Sequence, residues 1–127
     1  MNVLWSKNMK LVDANVILRY LLNDNQEMAR QAKAVIESGA YTKPEIIAEV
    51  VYVLKGVYHA TRADIRIFIR EMLKSVRCYD SAAVSCAVDV YANTSLDFVD
   101  CLLISYHNLN KEEVFTFDKA LAKHLNA

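Results

Sequence analysis

The strongest constraint in this sequence is a repeated change of period, in which short β-branched or aromatic runs alternate with longer segments whose apolar residues recur at helical spacing. "MKLV" (residues 9–12) reads as a strand, and "ANVILRYLLN" continues at helical spacing through Ile17, Tyr20 and Leu21. Asp24 and Asn25 break the chain before "QEMARQAKAVIES", a second helix stopped by Gly39. After a short extended segment around Tyr41, Pro44 opens "EIIAEVVYVLKGV" from a first-turn position, where its missing N–H is no loss. Thr61 and Asp64 have the form of a capping box at the head of a fourth helix. "VRCYD" is a weak strand candidate, "SAAVSCAVDVYAN" a helix from Ser81, and "FVDCLLISYHNL" a helix capped by Asp97. "EVFTF" has the composition of a buried strand and leads through Asp118 into the helix "KALAKHL".

Strands separated by helices imply parallel neighbours, because parallel pairing needs crossover connections. The expected fold class is therefore α/β, a central parallel sheet flanked by helices. No repeat or linker interrupts the pattern, and residues 1–127 read as a single domain. A hydrophobic fraction of 54% with 24% charged residues places the chain among ordered globular proteins. Its apolar stretches fall short of the roughly 18 residues a membrane span needs. The leader "MNVLWSKN" lacks the features of a signal peptide, and residues 1–8 read as an N-terminal extension or an upstream start. Cys78, Cys86 and Cys101 have neither metal-binding nor redox spacing, and reduced thiols suit a cytoplasmic protein.

Carboxylates stand at the junctions. "KLVD" and "FTFD" each end an apolar run with an aspartate that leads into a helix. Asp13 and Asp118 are favoured N-cap residues in their own right. They are also placed where open α/β sheets bind ligands, at the carboxyl ends of strands, and two central neighbouring strands would bring them into one crevice. Glu49 lies among Ile46, Ile47, Val50, Val51, Val53 and Leu54, so burial of most of that helical turn is expected. A buried carboxylate demands compensation, either by a solvent-facing slot shared with Glu45 or by a bound cation. In "SLDFVDCLL", Asp97 and Asp100 fit a capping-box arrangement, and the same spacing puts both near one face of the first turn. Together Asp13, Glu49, Asp100 and Asp118, with Asp97 alongside, offer oxygen ligands suited to a hard cation, Mg²⁺ or Mn²⁺.

Formal net charge is zero, so no bulk positive potential announces a nucleic-acid partner. Locally, "TRADIRIFIREMLK" repeats Arg62, Arg66, Arg70 and Lys74 every fourth residue, either an ordinary solvated face or a rim that contacts phosphates.

The ordered set "LVDANVIL", "IIAEVVYVL", "LDFVDCLL" and "FTFDKAL" resembles the PIN-domain ribonucleases, specifically the VapC-like toxins of toxin–antitoxin pairs, over nearly the whole chain from Met9. The resemblance implies a three-layer α/β/α PIN-like fold and a Mg²⁺- or Mn²⁺-dependent endoribonuclease acting on RNA such as tRNA or rRNA. It matches Asp13, Glu49, Asp100 and Asp118 to the catalytic and metal-ligating acids, with Asn15, Thr116 and Asp97 in support. Ala14 departs from the Thr common at that position. The resemblance also implies a homodimer and a cognate antitoxin, with Tyr52, Leu54, Val57, Tyr58, Ile65 and Phe68 as contacts, although these residues also suit a core. A catalytically inert PIN-like RNA- or protein-binding module is the alternative. A phosphatase using Asp13 as nucleophile is disfavoured, because "DAN" lacks the second aspartate that would serve as acid and base.

Overall fold

The computed structural model describes residues 8–125. Its elements in chain order are β1 (Lys10–Leu11), α1 (Ala14–Leu22), α2 (Gln26–Glu37), β2 (Ala40–Thr42), α3 (Pro44–Gly56), α4 (Arg62–Met72), β3 (Arg77–Cys78), α5 (Ser81–Asn93), α6 (Phe98–Asn110) and α7 (Lys119–Leu125). The strands form one parallel sheet in the order β1-β2-β3, with Lys10 opposite Ala40 and Thr42 opposite Cys78. Helices α1 and α2 make the first crossover, and α3 and α4 the second. The expected α/β fold with a parallel sheet is therefore present.

The strands are short, yet hydrogen bonds carry the pairing past them. Val12 N–H donates to the Tyr41 carbonyl at 3.0 Å and Tyr79 N–H to the Thr42 carbonyl at 3.2 Å. The helix ends follow the sequence signals. Asn25 accepts from Met28 N–H, Thr61 accepts from Asp64 N–H, and Pro44 opens α3. Gly39 turns the chain from α2 into β2 at φ 108°, a conformation an L side chain would strain. Ile17, Ile47, Val50, Leu54, Ile65, Ile69, Met72 and Val84 are fully buried between the layers. Leu54 and Ile65 thus belong to the core rather than to a docking face, and Phe68 packs against that core. All three cysteines are free thiols. Among the described residues no helix is long and apolar enough to cross a membrane. The sequence-level extension, residues 1–8, lies outside the described residues apart from Asn8.

The expected strand "EVFTF" does not form. Residues 113–117 are irregular, with Phe115 82% and Phe117 92% exposed, and their rings meet edge to face at 5.1 Å. The anchors of this segment lie at its flanks. Lys111 closes α6 in a left-handed conformation, and His107 on α6 reaches both ways, its ring nitrogens 2.9 Å from the Glu112 carbonyl and 3.1 Å from the Leu125 carbonyl. Leu121 fixes α7 in the core, and between these anchors both Phe rings stay in solvent. Strand propensity mostly measures fit to a half-buried pleated surface, and here that surface is not offered. Phe117→Ala should therefore change unfolding free energy by less than about 0.5 kcal/mol in urea titration, as exposed positions do. A loss of about 3–5 kcal/mol, the cost of truncating a buried Phe, would restore the strand reading.

Candidate active site

Parallel strands that feed helices deliver helix N-termini to one end of the sheet, and those N-termini favour carboxylates through free N–H groups and the helix dipole. Asp13 occupies that position after β1, its Oδ1 accepting from Val16 N–H at 3.1 Å. β1 lies at the edge of the sheet, not in its middle as the crevice argument assumed. Asp118 caps α7 in the same manner, Oδ1 accepting from Leu121 N–H at 3.0 Å, but it follows the irregular segment rather than a strand. Its own N–H donates to the Thr116 hydroxyl at 3.0 Å, so Thr116 shapes the turn that presents Asp118. Each capping carboxylate still has lone pairs beyond the one its cap uses, so a cap and a cation can share it.

At the head of α6, Asp97 takes the N-cap position without a side-chain cap bond, unlike the expected capping box. Asp100 stands in the first turn, and its carboxyl is pushed above the usual range by burial, then by the charges of Asp118 and Asp97. Carboxylates from two separate stretches of the sequence, Asp97 with Asp100 and Asp118, thus share one electrostatic environment. Glu49 takes the solvent-facing alternative rather than burial: it is exposed, and so are Glu45 and Tyr52, which share its side of α3. Apolar neighbours in sequence wrap around a helix rather than lying beside one another, and here they leave a single wet stripe. Helix α3, which carries Glu49, packs on both α1 and α6. Asn15 accepts from Arg19 Nε at 3.2 Å, and Arg19 in turn pairs with Asp24 at 2.6 Å.

The donor set is uniformly carboxylate oxygen, and the mutual repulsion that raises Asp100 is the kind of charge excess a divalent cation offsets, so charge and donor chemistry fit Mg²⁺ or Mn²⁺. Among the described residues, no three His, Cys, Asp or Glu side chains lie close enough to share one ion.

The basic row has found internal partners. Arg66 and Arg70 on α4 converge on Asp89 of α5, with Arg66 Nε 2.6 Å and Arg70 Nε 3.2 Å from Oδ1, while Lys74 pairs with Glu71 at 3.1 Å. Arg62 Nη1 donates to the carbonyls of Tyr91 at 3.0 Å and Leu96 at 2.8 Å. Sequence reasoning missed Asp89 as the partner of the row and Tyr91 as a platform for Arg62. An isolated acid on an apolar helix was the available signal for Asp89, and no local signal marks Tyr91.

The carboxylates of this α/β fold stand at the heads of α1, α6 and α7. Residues 10–124 match the PIN domain, and the chain belongs to that family, whose members are generally nucleases. No curated protein and no solved structure matches it.

Two pH-dependent outcomes follow. The folded Asp100 carboxyl holds its proton to higher pH than in the unfolded chain, so stability falls as pH rises through the carboxylate range. Asp100→Asn should be more stable than the parent at neutral pH, with the gap closing below the ordinary Asp value of about 3.9. A gap that persists at low pH would contradict this. For Asp89, burial raises the carboxyl, but hydrogen bonds from Arg66 and Arg70 outweigh it and hold it below the usual range. Its stabilising contribution is present above the unfolded value and lost as pH falls through the folded one. These side chains are 40–46% exposed, so Asp89→Asn should cost only about 0.5–1 kcal/mol at neutral pH, less in high salt, by thermal or urea unfolding.

Proposed function

We propose that this chain is a Mg²⁺- or Mn²⁺-dependent endoribonuclease, the VapC-like toxin of a toxin–antitoxin pair. What carries the reading is the PIN-family match together with the packing of α6 on α7, which brings Asp97 and Asp100 within reach of the charge of Asp118 on a separate helix. In this reading Asp13, Asp100, Asp118 and Glu49 would hold the cation with Asp97 in support, although as the described residues stand no three of them lie close enough to share one ion. When bound, the cation polarises the scissile phosphate and acidifies a water for phosphodiester hydrolysis. The protein's own task is to hold its carboxylates in place against their repulsion. Thr116 and the caps of α1 and α7 do so by fixing the turns from which Asp118 and Asp13 project.

RNA would run from this acidic end along α4. Arg62 begins that helix beside the α5–α6 turn, and Arg66, Arg70 and Lys74 follow, each with exposed surface left over from its ion pair. A tRNA or rRNA segment is the proposed substrate, in the cytoplasm, with the chain acting as one PIN-like domain preceded by the extension 1–8. Exposed Tyr52, Val57 and Tyr58 at the end of α3 provide apolar surface for the cognate antitoxin or for a homodimer partner. A second reading, an inert PIN-like binding module, draws on the capping bonds of Asp13 and Asp118, which give both residues a structural use.

Substitution by Asn separates the readings, because Asn caps a helix about as well as Asp yet cannot supply the charge. The test is total RNA incubated with purified, antitoxin-free protein and Mg²⁺ or Mn²⁺, with fragment ends mapped. Asp13→Asn and Asp118→Asn should each lower cleavage at least about a hundredfold with helix content unchanged, and chelation should abolish it. Parent-rate cleavage by clean Asp13→Asn protein, or cleavage insensitive to chelation, would overturn the nuclease reading.

A further inference from the structure

The α5–α6 turn sets where Asp97 and Asp100 stand, and it is closed from one side by its own residues. The Thr94 hydroxyl donates to the Val90 carbonyl at 2.8 Å and accepts from Leu96 N–H at 3.3 Å. Nothing on α6 caps the next step, because Asp97 makes no side-chain cap bond. The other side is held by Arg62, reaching across from the first turn of α4. Its Nη1 bonds the carbonyl of Tyr91, in the last turn of α5, and the carbonyl of Leu96, the residue before Asp97. Its guanidinium carbon lies 4.1 Å from the centroid of the Tyr91 ring, which is buried and in turn packs edge to face on Phe98 at 6.0 Å. The Tyr91 hydroxyl is buried without a hydrogen-bond partner among the described residues, so the ring serves as a stacking surface. A planar face that stacks on the ring is a property a lysine ammonium lacks.

We propose that Arg62 is a positioning residue for the acidic site: by bridging the Tyr91 and Leu96 carbonyls while stacked on Tyr91, it fixes the α5–α6 turn and so the placement of Asp97 and Asp100 relative to Asp118. The inference rests on the nuclease reading for its consequence in catalysis, but its structural part stands apart from it. It separates Arg62 from the other members of the basic row, whose hydrogen bonds go to carboxylates.

The test uses the full chain carrying Arg62→Lys, which keeps the charge and the stem, and Arg62→Ala. For RNA cleavage under saturating Mn²⁺, Arg62→Lys should lower kcat at least about tenfold, since a small misplacement of reacting groups has large effects. KM should stay within about twofold. Guanidinium ion should restore part of the activity of Arg62→Ala and none to Arg62→Lys, whose stem fills the space. Amide exchange provides the readout independent of activity. The Cys101 N–H, bonded to the Asp97 carbonyl at 3.1 Å, should exchange faster in both variants, while Ile69 within α4 stays protected. A rise in KM at unchanged kcat would make Arg62 an RNA contact and overturn the proposal, as would unchanged exchange at Cys101. If the parent cleaves no RNA the nuclease reading fails, and exchange at Cys101 alone decides the role of Arg62.

Discussion

Parallel pairing of β2 between β1 and β3 is the constraint on which the rest depends. A parallel neighbour cannot be reached by a hairpin, so each step across the sheet must return through helices. After β1 and β2 the chain enters α1 and α3 within a residue or two of the last strand position, and helix N-termini therefore collect at the carboxyl end of the sheet. There, unpaired N–H groups and the positive end of the helix dipole make carboxylates welcome. The opening junction "KLVDAN" follows from this: Asp13 ends the strand's approach and begins the helix with one side chain.

The heads of α6 and α7, which follow no strand, carry a separate cost. Asp97, Asp100 and Asp118 are brought near enough for their charges to hold the Asp100 proton, so the fold retains a local repulsion that burial deepens. Of the three, Asp118 alone spends an oxygen on a helix cap, and a carboxylate has acceptor capacity to spare after one backbone bond. Elsewhere the molecule settles its charges internally, with Asp89 drawing Arg66 and Arg70 into the α4–α5 seam.

Much of the fold was legible in the sequence where the deciding interactions are local. Asn25, Thr61, Pro44 and Gly39 punctuate the helices as read, because each acts on backbone groups within a turn of itself. The Asp13 and Asp118 caps were readable for the same reason. Three readings stayed open or failed where the deciding neighbour is distant. For Glu49 the sequence left a solvent-facing slot beside Glu45 and a bound cation as alternatives, and the unpacked side of α3 leaves it wet. "EVFTF" has strand composition, yet His107 and the anchors of α6 and α7 hold its flanks while no strand among the described residues pairs with it. Arg62 looked like one of four equivalent cations until two carbonyls of another helix pair were found in front of it.

By itself, then, the sequence determined the alternation of strand and helix, the points at which helices begin and end, and the acidic character of the junctions. Hydrophobic period and capping bonds act over three or four residues, and they survive any arrangement of the rest. Only the tertiary structure decided which acids share a field, which cation braces the α5–α6 turn, and which aromatic segment stays in solvent. Those outcomes depend on through-space distances between helices, and on which surfaces packing leaves uncovered, quantities that no short window of residues contains.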